Sequence, residues 1–124
     1  MTMNALSTGL FIFLLSWNVF QNQTYTRLNL KAFSQQITAA EVQLIDVRTP
    51  EEFEAGHIPR AININILDRE DFRAQVDCLD KDQPVYLYCK MGGRSKRAAE
   101  ELEQMGFAQL YDLRGGYLLW SSFQ

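Results

Sequence analysis

The sequence predicts an α/β domain, a mostly parallel sheet flanked by helices on both faces. From Tyr25 onward, short apolar runs rich in β-branched residues alternate with amphipathic stretches, and parallel neighbours need crossovers that helices supply. The 124 residues, with 47% hydrophobic and 22% charged side chains, suffice for one core and are too few for two ordinary domains.

Each element carries its own signature. Asn29 suits an N-cap, and Leu30, Phe33 and Ile37 fall at i, i+3 and i+7, so residues 29–37 read as a short amphipathic helix. Residues 42–47 are apolar and β-branched and read as a strand. They run into Thr49-Pro50, where proline suits a first helical turn and Glu51 and Glu52 favour the positive helix end, giving a helix to Ala55. Residues 61–66 alternate with period two, as a strand with one wet face does. Asp68 caps a helix through about Val76. Pro84 to Tyr88 is a nearly continuous apolar strand ending at Cys89. The glycine-rich stretch Lys90-Met-Gly-Gly-Arg94 then leads into a helix over 95–105, with Ser95 as its cap and Gly106 as its stop. Residues 109–113 form the last strand, followed by Arg114-Gly115-Gly116 and an apolar turn through Trp120.

Twelve Lys and Arg against fifteen Asp and Glu leave a net charge of -3, which removes the overall electrostatic case for a nucleic-acid partner. Two cysteines and one histidine cannot supply the usual four ligands of structural zinc or a framework of several disulfides. The reading therefore includes no metal and no cofactor. Residues 1–24 are uncharged and hold the apolar run Leu10 to Leu15 with Trp17, Val19 and Phe20. That is a marginal membrane span, or the apolar part of an export signal lacking a basic start and a small-residue cleavage site. The expectation is a hydrophobic segment over 1–24, signal peptide or membrane anchor, ahead of a domain over 25–124. It favours an exported, periplasmic or membrane-anchored protein over a cytoplasmic one, with membrane contact through residues 1–24. In an uncleaved anchor, Arg27 and Lys31 would hold the domain on the cytoplasmic side.

In such sheets ligands bind beyond the carboxyl ends of the strands. Three segments reach that edge: Asp46 to Arg48, Cys89 to Arg94, and Asp112 to Gly116. Lys90, Arg94, Lys96 and Arg97 fall within eight positions of Cys89, and no acid occurs between Gln83 and Ala99. A free thiol has a pKa near about 8.5, which a helix N-terminus and adjacent cations lower to about 3.5–7.5. The strand-to-helix turn aims successive N–H groups at its own centre, and Gly92-Gly93 relieves the steric limit on turning them inward. Cys89 is thus expected as a thiolate nucleophile at the rim of an anion cradle, with no need of a general base. The plainer alternative makes Cys89 a buried strand-end thiol and the cations a solvated helix face.

Four motifs, Ile45-Asp-Val-Arg-Thr-Pro-Glu-Glu-Phe53, Gly56-His-Ile-Pro-Arg-Ala61, Tyr88-Cys-Lys-Met-Gly-Gly-Arg-Ser95, and Leu113-Arg-Gly-Gly116 with Trp120, stand in order over residues 25–124. Together they resemble the single-domain rhodanese (thiosulfate sulfurtransferase) family. The resemblance implies a five-stranded parallel sheet flanked by helices. It implies that Cys89 attacks the outer sulfur of an anionic donor such as thiosulfate, carries it as a persulfide, and passes it to cyanide, a thiol or a protein acceptor. The loop Lys90, Met91, Gly92, Gly93, Arg94 and Ser95 would bind that substrate, Arg94 closing the loop and Lys90 steering the donor. Two rivals are a sulfur carrier or persulfide sensor without turnover, and a phosphatase or arsenate reductase of related fold. The latter separate Cys and Arg by five residues, whereas four stand between Cys89 and Arg94 here, a cradle suited to sulfur rather than a tetrahedral oxyanion.

Other polar residues read as structural. His57 belongs to the Gly-His-Ile-Pro turn, and Asp46 with Arg48 holds a loop by a salt bridge. Gly115 and Gly116 let a backbone pass close to the cysteine loop. Cys78 is expected as a small packed side chain, with a disulfide to Cys89 as a minor alternative. Tyr86, Tyr88 and Trp120 are expected in the core. Arg60 stands where the family often has glycine, which implies a changed turn.

Overall fold

Five strands, β1 (Tyr25–Leu28), β2 (Gln43–Asp46), β3 (Ile62–Asn63), β4 (Val85–Tyr88) and β5 (Leu110–Leu113), form one sheet in the order β1-β5-β4-β2-β3. Every pairing is parallel. The structure is a computed structural model and describes residues 24–124. The hydrophobic segment expected at the start lies, except for Thr24, outside the described residues. Among the described residues no helix is long and apolar enough to cross a membrane.

The crossovers are α1 (Leu30–Ala39), α2 (Pro50–Ala55), α3 (Arg69–Val76) and α4 (Gly93–Gln104), and α5 (Gly116–Ser122) follows the last strand. Three have side-chain caps, two of them at the expected residues Asn29 and Asp68. Asn29 accepts from Ala32 N at 2.9 Å, Asp68 accepts from Asp71 N at 3.1 Å, and Thr49 and Glu52 form a reciprocal capping box around Pro50. The helix after the cysteine departs from expectation. It starts at Gly93 with Gly92 as N-cap, two residues before Ser95, and Ser95 is fully buried instead of capping. Gly92 adopts φ +123, which L side chains rarely tolerate, so this residue sets the turn. Gly93 has open space where a Cβ would stand, so only one of the two glycines is sterically required.

Period-two alternation distributes the strand side chains between two cores. Val85, Leu87 and Cys89 join Ile45, Val47, Phe72, Leu102 and Phe107 in a mostly aliphatic core beneath α3 and α4. Tyr86 and Tyr88 point the other way and join Phe33, Ile37, Leu44, Ile58 and Trp120. The expected strand over 61–66 contracts to two residues because it pairs on one side only, with β2. Beyond it, Ile64 and Ile66 still donate to Asp46 O and Val47 O at 2.9 and 3.1 Å, and both side chains are buried. Arg60 has φ +72, the only non-glycine with positive φ among the described residues. Its guanidinium offsets that strain by donating to Ile37 O at 2.8 Å, at the exposed carbonyl end of α1.

Candidate active site

Parallel register brings the three expected segments to one edge, with Asp46 opposite Tyr88 and Arg27 opposite Asp112. Cys89 follows β4, and its residue is only 1% exposed, so the thiol is buried at the strand end, as the plainer alternative has it, rather than lying at the rim of the loop. Gly92 N donates to Cys89 Sγ at 3.0 Å, and Cys89 Sγ lies 3.4 Å from Ser95 Oγ, which itself donates to Gly92 O at 3.2 Å. The sulfur thus sits inside the strand-to-helix turn, at the N-terminal end of α4, with a backbone donor aimed at it. A donor and helix end so placed stabilise an anion on that sulfur or one atom beyond it.

The loop carbonyls are held outward. Tyr117 N donates to Cys89 O at 2.8 Å and Leu118 N to Lys90 O at 3.1 Å, so the first turn of α5 uses its unpaired N–H groups on the cysteine loop. Gly116 makes this approach possible. A Cβ there would lie 2.4 Å from Lys90 O and 2.6 Å from Cys89 O, so the close backbone passage expected at these glycines rests on Gly116.

Arg94 makes no hydrogen bond to the sulfur. Its guanidinium binds Glu52 of α2 in a two-point fork at 2.6 and 2.9 Å. The Arg94 guanidinium holds the Glu52 carboxyl down at about 2, and Thr49 adds to the effect. One of the four local cations is therefore neutralised, while Lys90, Lys96 and Arg97 remain exposed. Met91 is also exposed, at 66%. Beside Lys90 lies a cleft of about 290 Å3 lined in part by Arg48, Glu52, Gly56 and Tyr117.

A buried polar frame supports this edge. Asp46, fully buried, takes the Arg48 guanidinium at 2.6–3.1 Å, and Arg48 also donates to Gly56 O at 2.7 Å. The guanidinium carbon lies 4.3 Å from the Tyr117 ring centroid. Tyr88 accepts from Ile58 N at 3.0 Å, and burial together with Asp46 pushes its hydroxyl well above the usual tyrosine range. His57 is exposed, stacks on Phe53 at 3.7 Å and pairs with Phe53 O at 2.8 Å, a turn-holding role away from the sulfur. Cys78 is exposed rather than packed, its Sγ on Gln75 O at 2.8 Å, and both cysteines are free thiols.

Two contacts escaped sequence reasoning, the Glu52–Arg94 fork above and one made by β1. Arg27 of β1 donates to Gly92 O at 2.7 Å and to Asp112 Oδ2 at 3.1 Å. The available signal was Asp112 itself, since an acid ending a buried strand demands a cation.

A family model described as Rhodanese-like domain matches residues 29–123. The chain belongs to the rhodanese-like domain family. This rhodanese-like chain is 38% identical over 109 residues to the uncharacterized protein YqhL of Bacillus subtilis, covering 88% of this chain and 82% of the relative. It is 33% identical over 97 residues to the thiosulfate sulfurtransferase GlpE of Shewanella oneidensis, covering 78% and 93%. Among solved structures, a rhodanese-related protein from Thermoplasma volcanium superposes with TM-score 0.68 at 31% identity, covering 80% of this chain and 93% of that one. The α/β fold and the family expected from the four motifs are thereby established.

Proposed function

We propose that this rhodanese-like domain is a sulfurtransferase whose nucleophile is Cys89. The Cys89 thiolate attacks the outer sulfur of thiosulfate, the S–S bond of the donor breaks, and sulfite leaves with the bonding pair. Cyanide or a thiolate acceptor then attacks the outer sulfur of the Cys89 persulfide, giving thiocyanate or an acceptor persulfide and regenerating the thiolate. No net oxidant is needed in either step. The observation that carries this reading is the Gly92 N–H aimed at Cys89 Sγ at 3.0 Å, in a loop whose carbonyls at 89 and 90 are turned outward. The short loop supports sulfur rather than phosphate or arsenate as the group held. Lys90, exposed beside the cleft, steers the anionic donor.

Intact-mass measurement of the full chain tests this, after thiosulfate and then after cyanide, beside Cys89→Ala. One sulfur gained at Cys89 and discharged as thiocyanate is the expected result. Loading without discharge would favour a carrier that serves one protein partner, and absence of loading would remove thiosulfate as donor. The domain itself is proposed to begin one residue earlier than Tyr25, because Thr24 O accepts from Leu110 N at 2.7 Å and so belongs to the sheet.

A further inference from the structure

We infer that Arg27, on the edge strand β1 and 65 positions before Gly92, is a positioning residue that sets the amide donors of the cysteine loop for sulfur transfer. The inference rests on the Cys89 persulfide reading and adds a component that none of the four motifs contains.

Three observations carry it. The first is the grip on one peptide. Gly92 O accepts from Arg27 Nη2 at 2.7 Å, from Ser95 Oγ at 3.2 Å and from Lys96 N at 3.4 Å. Because a peptide is planar and trans, fixing that carbonyl also fixes the N–H of Gly93 in the opposite direction. That N–H is among the first of α4 and has no acceptor within the helix, so it is available to an anion at the turn. A guanidinium on the carbonyl polarises the same peptide and strengthens its N–H as a donor.

The second observation is mutual fit. A Cβ on Gly92 would stand 3.2 Å from Arg27 Nη2, so the guanidinium lies directly against the glycine whose φ of +123 makes the turn. Arg27 therefore limits the loop sterically as well as by hydrogen bonding.

The third is the anchoring of Arg27 itself. Its Nη2 also meets Asp112 Oδ2 at 3.1 Å, its Nε donates to Tyr25 OH at 3.2 Å, and Tyr25 OH donates to Asp112 Oδ2 at 2.5 Å. Asp112 is fully buried, and its Oδ1 has no hydrogen-bond partner among the described residues. Burial and Asp112 push Tyr25 up to about 12, so its hydroxyl remains a donor at neutral pH. A buried acid met through one oxygen holds the arginine in one place.

The test compares wild type with Arg27→Met/Asp112→Asn, which removes both members of the ion pair and leaves no buried charge stranded. Both full-length proteins are mixed with thiosulfate, and sulfur gain at Cys89 is followed by mass against time. The expected result is full loading amplitude with a rate constant at least about tenfold lower, and faster spontaneous loss of the added sulfur. An unchanged rate constant overturns the inference. So does reduced amplitude at the wild-type rate, which marks a merely structural role. Should the double variant fail to fold, Arg27→Lys decides, slowing loading several-fold at full amplitude if the fork matters and leaving it unchanged if it does not. Wild type that gains no sulfur removes thiosulfate as the donor and leaves the role of Arg27 to a second measurement. Alkylation of Cys89 by iodoacetamide, followed by peptide mass because Cys78 is exposed, then carries the comparison. It slows in the variant only if Arg27 sets the donors around the sulfur.

Discussion

The two ends of the sheet are built from different materials. At the amino ends of β2 and β4 lies a cavity of about 670 Å3 lined by Gln36, Ala39, Ala40, Gln43, Pro84 and Tyr86 among others. At the carboxyl ends lies a cleft less than half that size, about 290 Å3, yet this end holds the buried charges, Asp46, Arg48 and Asp112, and the sulfur. The larger cavity presents carboxamides, a tyrosine and one glutamate, with no nucleophile and no oriented helix N-terminus. Volume is therefore a poor guide to chemistry in this molecule. The parallel strands and the helices that follow them turn free N–H groups toward one end only, and the proposed nucleophile, Cys89, stands there with the Gly92 N–H aimed at its sulfur.

That contrast implies a graded series of substitutions. Cys89→Ala should abolish sulfur transfer at a stability cost on the order of 1 kcal/mol, because the change in a buried side chain is small. Thiocyanate formation and thermal unfolding measure the two effects separately, and residual turnover would place the nucleophile elsewhere. Asp46→Asn should follow, at roughly 3–5 kcal/mol, since it leaves the Arg48 guanidinium buried without its counter-charge. Chemical denaturation reads this directly, and a loss under about 1 kcal/mol would mean that Tyr117 and Gly56 suffice to hold Arg48. Gly116→Ala should cost about 3 kcal/mol and depress activity further, because its Cβ meets two backbone carbonyls of the cysteine loop.

Glu52 gives a smaller, pH-dependent effect. Its folded carboxyl lies at about 2, below the ordinary value of 4.5, so the pair with Arg94 contributes fully above about pH 4.5. That contribution fades as the pH falls through 2. The Glu52 side chain is 29% exposed, so solvent screening limits the pair to about 1 kcal/mol. Glu52→Gln should flatten that part of the acid-unfolding curve, and a curve parallel to wild type would assign the pair no stabilising role. Tyr86→Phe, at the opposite end, should be the mildest change. It removes the hydroxyl that donates to Gln36 Oε1 at 2.7 Å, costs under about 1 kcal/mol, and leaves transfer rates unchanged. A tenfold fall in turnover would mean the two ends communicate.

Local chemistry made much of this fold legible. The caps at Asn29, Thr49 and Asp68 lie within four residues of the groups they satisfy, and the strand cores announce themselves by apolar runs. Cys89 was legible because strand, glycines and cations are contiguous. Contacts made by sheet order were not. Glu52 meets Arg94 across 42 positions and Arg27 meets Gly92 across 65, and no local pattern encodes either distance. Ser95 shows a subtler failure. It has the right chemistry for a cap, but Gly92 can take a backbone angle that starts the helix two residues earlier, which sends the serine hydroxyl inward beside the sulfur. The family resemblance supplied the strand count and the reaction class, and the geometry supplied the partners.

The grip of α5 on the cysteine loop has a consequence in time. Tyr117 and Leu118, whose amides hold the carbonyls of Cys89 and Lys90, are synthesised about 28 residues after the cysteine. At translation rates of about 5–20 residues per second, that is a delay of roughly 1–6 s. During this interval the nascent chain carries the thiol without the clamp on the carbonyls of Cys89 and Lys90, so the proposed nucleophile is delivered before the geometry that would arm it. A ribosome stalled between Cys89 and Gly116 would hold an unarmed cysteine.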